Sequence, residues 1–126
     1  MENNLLFVYG TLRPASGHPM AQRLARAGHC LGEASLTGLL HDAGGYPVLT
    51  PGAGNVAGEI YALHEPDWDV FDRYEEAFGP EPLYERRLTP VRLTTGPWLE
   101  AWAYWYCRPL DGMPRIVSGD WLLWRP

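Results

Sequence analysis

The chain has 126 residues, 46% hydrophobic and 20% charged, with 14 glycines and 12 prolines. It is too apolar for a disordered linker and too often interrupted for a helical bundle or repeat array, and its length suits one domain over residues 1–126. Ten basic residues, all arginine, against fifteen acidic ones give a net charge of −5 with no basic stripe, which speaks against nucleic-acid binding.

Met1-Glu2-Asn3-Asn4 lacks the basic region of a signal peptide, and no apolar run approaches the ~18 residues of a membrane span. The expectation is a soluble, cytoplasmic protein with no membrane partner. Leu5 to Tyr9 is a short apolar run stopped by Gly10, the pattern of a buried strand. A polar turn over residues 11–18 follows, and Pro19 opens a helix through Met20–Ala27 that Gly28 ends. Cys30 to Leu40, broken by Gly32 and Gly38, reads as a bent strand. Asp42 to Gly45 reads as a turn, and Tyr46 to Leu49 as a short extended piece before Pro51-Gly52. Val56 to Leu63 alternates as a separate strand. Pro66 opens a second helix reaching about Phe78, before Gly79-Pro80.

Leu83 to Thr94, with Pro90 at its centre, predicts an edge or bulged strand. Trp98 to Cys107 is apolar on both faces and predicts a strand covered on both sides. Beyond Arg108 the chain reads as loop, with Ser118-Gly119-Asp120 capping a helical turn at Trp121–Trp124. Four to six strands and two main helices, without strand–helix alternation, indicate an α+β fold with a small, mixed, curved or barrel-like sheet.

Cys30 and Cys107 sit in apolar stretches at no metal or redox spacing. They read as buried, reduced thiols, a disulfide being the alternative. His18, His29, His41 and His64 are scattered, so no metal site is expected. The six tryptophans read as core and edge cover rather than a base-stacking platform.

Glu75 is the charged residue in the wrong place. On a helical wheel it projects between Trp68 and Phe71, inside the apolar stripe, and a buried carboxylate must be paired, hydrogen-bonded or protonated. Either it salt-bridges Arg86 or Arg87, or it lines a pocket with a raised pKa suited to proton transfer. At Tyr9-Gly10-Thr11-Leu12 a strand runs into a glycine turn. Its successive N–H groups form an anion-binding nest, or it is simply a strand-ending turn.

Taken in order, Phe7-Val8-Tyr9-Gly10-Thr11-Leu12-Arg13, Tyr46–Gly52, Val56-Ala57-Gly58-Glu59-Ile60-Tyr61-Ala62-Leu63, and Phe71-Asp72-Arg73-Tyr74-Glu75 followed by Tyr84-Glu85-Arg86 resemble the motifs of the γ-glutamylcyclotransferase-like proteins. The likeness is to the branch that includes γ-glutamylamine cyclotransferase, and it covers residues 5–107. Phe71 stands where leucine is usual, Glu76 where glycine is frequent, and residues 77–83 form a Pro-rich insert. The resemblance implies a barrel-like sheet flanked by helices, Glu75 as catalytic acid/base, and Tyr9, Gly10, Thr11 and Leu12 as a substrate cradle. It further implies a small γ-glutamyl substrate, cyclised to 5-oxoproline with release of an amine, and no cofactor. Tyr84 and Tyr106 are candidates to orient polar groups, and Arg86 either holds the fold or tunes Glu75. The alternative is a non-catalytic binding protein with the same pocket. Monomer and homodimer both remain open, and so does the leaving amine.

Overall fold

Two long strands frame the protein in the computed structural model, which describes residues 4–77 and 79–124. The elements run β1 (Leu5–Val8), α1 (Pro19–Ala27), β2 (Gly28–Asp42), β3 (Pro47–Leu63), α2 (Trp68–Tyr74), β4 (Tyr84–Leu93) and β5 (Trp98–Tyr106). The strands close into a barrel in the order β1-β3-β2-β4-β5. All neighbours are antiparallel except β1 and β5, which meet in parallel at Leu6 and Trp102. Each strand has a neighbour on both sides, although β2 and β4 meet at only two positions.

The double-sided hydrophobicity of β5 follows from two cores. Ala101, Ala103 and Trp105 point into the barrel with Leu36, Val56, Ile60 and Val91. Tyr104 and the neighbouring Trp102 face outward, into a layer formed with Leu24 of α1 and Phe71 of α2. Period-2 alternation thus sends one set of side chains to each core.

Several expectations change. The extended piece expected at Tyr46–Leu49 begins at Pro47, and it and Val56–Leu63 are parts of one strand, β3. Between them Pro51-Gly52 is absorbed as a bulge, where the two steps from Thr37 to Leu39 on β2 face the five from Asn55 to Thr50. Strand β4 carries no bulge, since it pairs residue for residue with β5 from Tyr84 to Arg92. It does resemble an edge on its other side, where β2 joins it only at Ala34–Leu93 and Ser35–Arg92. Both cysteines are free and exposed rather than buried.

Helix α2 starts at Trp68 and ends at Tyr74, sooner than its apolar pattern predicts; Phe78, the expected end, lies outside the described residues. Its stop is a Schellman motif: the Glu76 N–H donates to the Arg73 carbonyl at 3.2 Å and the Ala77 N–H to the Asp72 carbonyl at 2.7 Å. Glu76 takes the left-handed position, φ 55°. Glu75 is therefore the C-cap residue and not a mid-helix one.

The segment after β5 does more than loop back. The Asp42 N–H donates to Pro114, Ile116 to the Leu40 carbonyl and Ala57 to Gly119, so the tail lies along β2 and then β3. It ends in the expected helical turn, Trp121–Leu123, capped by Asp120. Asp120 also holds Arg13 at 2.7 Å, while Glu59 of β3 takes two further guanidinium bonds at 2.9 and 2.8 Å. Arg13 is only 4% exposed. A buried cation with every bond directed fixes the chain just after β1.

Candidate active site

Strand β1 leaves the barrel at Tyr9 and turns at once, with the Arg13 N–H closing onto the Gly10 carbonyl at 3.0 Å. Glycine is required at position 10 because a Cβ there would come 2.7 Å from the Pro47 ring. The N–H groups of Gly10, Thr11 and Leu12 have no hydrogen-bond partner among the described residues. All three residues line a cavity of about 380 Å³.

The opposite wall comes from the end of α2. The Schellman stop turns Glu75 into this cavity, beside Tyr74, Tyr84, Tyr104, Tyr46 and Leu83. The Glu75 carboxylate forms no ion pair or hydrogen bond among the described residues. Burial alone pushes its pKa up to about 7. Among the described residues that line the cavity there is no arginine or lysine.

The hydroxyls of Tyr9 and Tyr84 are held by the backbone, not by Glu75. The Tyr9 hydroxyl donates to the Tyr104 carbonyl at 2.5 Å, and the Tyr84 hydroxyl to the Pro47 carbonyl at 3.2 Å. Burial raises the pKa of Tyr9, Tyr84 and Tyr104, and the nearby Glu75 charge adds to the rise, so these hydroxyls stay protonated. The Tyr74 hydroxyl meets Thr11 Oγ1 at 2.6 Å, tying the end of α2 to the turn after β1.

Arg86 does not reach Glu75. Its Nε donates to Asp72 Oδ1 at 2.9 Å, with its guanidinium 4.4 Å from the Trp68 ring centre and 4.5 Å from that of Trp102. Arg87 pairs with Glu85. The ion-pair reading of Glu75 is thereby corrected: the arginine on β4 serves the aspartate one turn earlier. Of the expected site residues, Glu75, Tyr9, Gly10, Thr11, Leu12 and Tyr84 line one cavity, but Tyr106 does not. Tyr106 stands behind Tyr84, ring edge to face at 5.5 Å. Tyr46, Tyr74 and Tyr104 are lining residues that the sequence reading missed. For Tyr104 the signal was present, since an aromatic on the outer face of β5 must face whatever covers that face.

The sequence profile of the family described as "Gamma-glutamyl cyclotransferase, AIG2-like" matches residues 6–123. The gamma-glutamylcyclotransferase family protein YtfP of Escherichia coli K12 is 36% identical over 118 residues, 93% of this chain and 95% of that one. Among solved structures, YkqA of Bacillus subtilis superposes with a TM-score of 0.72 at 28% identity, over 95% of this chain but only 40% of that longer protein. An AIG2-like protein from Mus musculus superposes with a TM-score of 0.69 at 26% identity, over 89% of this chain and 84% of that one.

Proposed function

The chain belongs to the gamma-glutamyl cyclotransferase, AIG2-like family, and from that premise we propose that it cyclises a γ-glutamyl amide to 5-oxoproline and releases an amine, with Glu75 moving the proton. The enzyme class follows from the family. The substrate, the reaction and the residues in their roles are the proposal.

In such a substrate the α-amine attacks the γ-carbonyl. The α-ammonium first loses one proton to solvent to become the nucleophilic amine; a new C–N bond then closes the five-membered lactam, the old amide C–N bond breaks, and a second proton passes from the attacking nitrogen to the leaving amine. The nucleophile is part of the substrate, so the chemistry calls for no serine, cysteine, metal or cofactor. Holding amine and carbonyl together replaces an intermolecular encounter with an intramolecular one. Glu75 takes the proton as base and returns it as acid, and a pKa near neutrality suits both tasks. The N–H groups of Gly10, Thr11 and Leu12 are available to the α-carboxylate or to the oxyanion of the tetrahedral intermediate. A cavity of about 380 Å³ is at the small end of the range for ligand sites, in keeping with a glutamyl group and little more.

The observation that carries this reading is a carboxylate without a counter-ion facing the same cavity as three unpaired N–H groups. Its test is 5-oxoproline release from a panel of γ-glutamyl amines and γ-glutamyl amino acids, for wild type and Glu75→Gln. Release by the wild type and its collapse in the variant is the expected result. Undiminished turnover by Glu75→Gln removes Glu75 from the mechanism. Binding of panel members without turnover by the wild type replaces the enzyme with a binding protein.

A further inference from the structure

Thr11 is held once by the segment that precedes α1 and once by the end of α2. Its carbonyl accepts from the Ser16 hydroxyl at 2.5 Å, and Ser16 Oγ in turn accepts from the His18 N–H at 3.2 Å. Its side chain joins a second line of contacts: Thr11 Oγ1 lies 2.6 Å from the Tyr74 hydroxyl, which lies 3.5 Å from His18 Nε2. The His18 and Tyr74 rings meet edge to face at 5.5 Å.

The direction of this line can be worked out from its far end. His18 caps α1, and its Nδ1 accepts the Met20 N–H at 3.0 Å. A nitrogen that accepts carries no proton, so the neutral ring holds its proton on Nε2, and Nε2–H donates toward the Tyr74 oxygen. The Tyr74 O–H then cannot turn to His18 and donates to Thr11 Oγ1. Burial raises the Tyr74 pKa, which keeps this donor protonated. With the Tyr74 proton in the Thr11–Tyr74 contact, the Thr11 hydroxyl proton is directed away from Tyr74. Thr11 lines the cavity that holds Glu75, next to the unpaired N–H groups.

We propose that Tyr74, oriented by His18, sets the Thr11 hydroxyl as a donor for the α-carboxylate of the substrate, completing the anion cradle begun by the N–H groups of Gly10, Thr11 and Leu12. The proposal rests on the γ-glutamyl reading. A carboxylate in a cavity without arginine or lysine depends on dipoles whose direction is fixed before it arrives. Tyr74 and His18 are positioning residues here, and Thr11 is the one that touches substrate.

The test joins one measurement that ignores turnover to others that use it. Nitrogen-15 NMR of His18 at neutral pH is expected to show the Nε2-protonated tautomer, and the Nδ1-protonated form overturns the proposal whether or not any substrate reacts. Calorimetric titration with 5-oxoproline, which keeps the α-carboxylate, is expected to show about 10- to 100-fold weaker binding for Thr11→Val, as for loss of a hydrogen bond to a charged group. Tyr74→Phe weakens it about 3- to 10-fold, the double variant is no worse than Thr11→Val alone, and Thr11→Ser restores most of the affinity. On a substrate from the panel the same losses fall on KM, with kcat nearly unchanged, which a general loosening of the fold would not produce. Unchanged affinity in Tyr74→Phe, or losses that multiply in the double variant, overturn this proposal alone. Failure of the wild type to bind 5-oxoproline overturns both it and the γ-glutamyl reading.

Discussion

Asp72 and Glu75 are carboxylates three residues apart at the end of α2, and their surroundings are opposite. Asp72 accepts from Arg86 Nε and from the Tyr104 hydroxyl at 2.7 Å, and its cation rests against Trp68 and Trp102, whose rings meet each other edge to face. Glu75 shares its cavity with Tyr9, Tyr84 and Tyr74, whose hydroxyls are committed to backbone carbonyls or to Thr11, and with Tyr104, whose hydroxyl is committed to Asp72. The fold gives its cation to the carboxylate that anchors the helix and withholds one from the carboxylate in the cavity. An arginine beside Glu75 would lower its pKa and remove its fitness as an acid/base near neutrality. The neighbouring ion pair and the isolated carboxylate are thus two parts of one arrangement: Asp72–Arg86 holds α2 in place so that Glu75 can remain unpaired.

The strongest way to break this contrast is to neutralise each member. Glu75→Gln is expected to lower kcat for 5-oxoproline release by about 10²- to 10⁴-fold, the usual range for a positioned general base. Asp72→Asn, assayed well below its melting temperature, is expected to leave kcat within about threefold of wild type. Comparable losses in the two variants would mean that the roles are not divided as described.

The second test is pH. The Glu75 pKa is raised from 4.5 to about 7 in the folded protein, so its burial costs nothing below about 4.5 and the cost grows as the proton leaves, complete above about 7. That difference corresponds to about 3 kcal/mol. Relative to Glu75→Gln, the wild type should lose on the order of 3 kcal/mol of stability between pH 4.5 and pH 8, read from urea unfolding of both proteins at both pH values. In the same window kcat/KM should rise with pH as one group near 7 deprotonates. A stability difference that stays flat with pH would show that Glu75 has found a partner.

Neutralising Asp72 is expected to destabilise the fold, with a smaller effect. Asp72→Asn keeps the shape but removes the charge opposing Arg86, in a pair whose two side chains are each 20% exposed. A loss of about 2 kcal/mol is expected, between the values for exposed and fully buried pairs. Replacing Arg86 by leucine should cost a similar amount, and the double variant less than the two losses added, because both remove one interaction.

How legible this was in the sequence differs between the two carboxylates. The apolar stripe of Trp68 and Phe71 exposed Glu75 as anomalous, because burying a charge is costly wherever it happens. The stripe could not say that the helix stops at Tyr74, since the stop depends on Glu76 adopting a backbone that the residue type disfavours. Nor could it say which carboxylate Arg86 would choose, because Asp72 and Glu75 lie on adjacent parts of the helix end and only β4's distance from it decides. A small barrel-like sheet of four to six strands was readable from apolar runs and alternation, but the continuity of β3 was not. Pro51-Gly52 is a strong break signal, and it was overridden because β2 runs alongside and a bulge takes up the extra length. Cys30 and Cys107 misled for a related reason: apolar neighbours alternate faces on a strand, so sequence proximity to buried residues says nothing about which side a cysteine faces.

The smallest expected effect concerns how Glu75 is delivered to the cavity. Glu76 sits at the first position beyond the helix cap with φ 55°, where glycine is preferred because a Cβ crowds the left-handed backbone. The Schellman hydrogen bonds to Arg73 and Asp72 keep it there, so the protein carries that strain continuously. Glu76→Gly relieves it, though glycine also makes the unfolded chain freer, and the two effects partly offset. The net gain expected is about 0.5 to 1 kcal/mol, seen as a higher urea midpoint with unchanged slope. Because the backbone is already in the conformation glycine prefers, Glu75 should stay where it is, and its titration near pH 7 in the kcat/KM profile should shift by less than about half a unit. A destabilised Glu76→Gly would mean that the Glu76 side chain, which also lines the cavity, contributes more through its contacts than its backbone loses. A stabilised variant whose titration moves by a full unit or more would mean that the charge on Glu76 helps set the proton affinity of Glu75, so that burial would no longer be the only influence on the unpaired carboxylate.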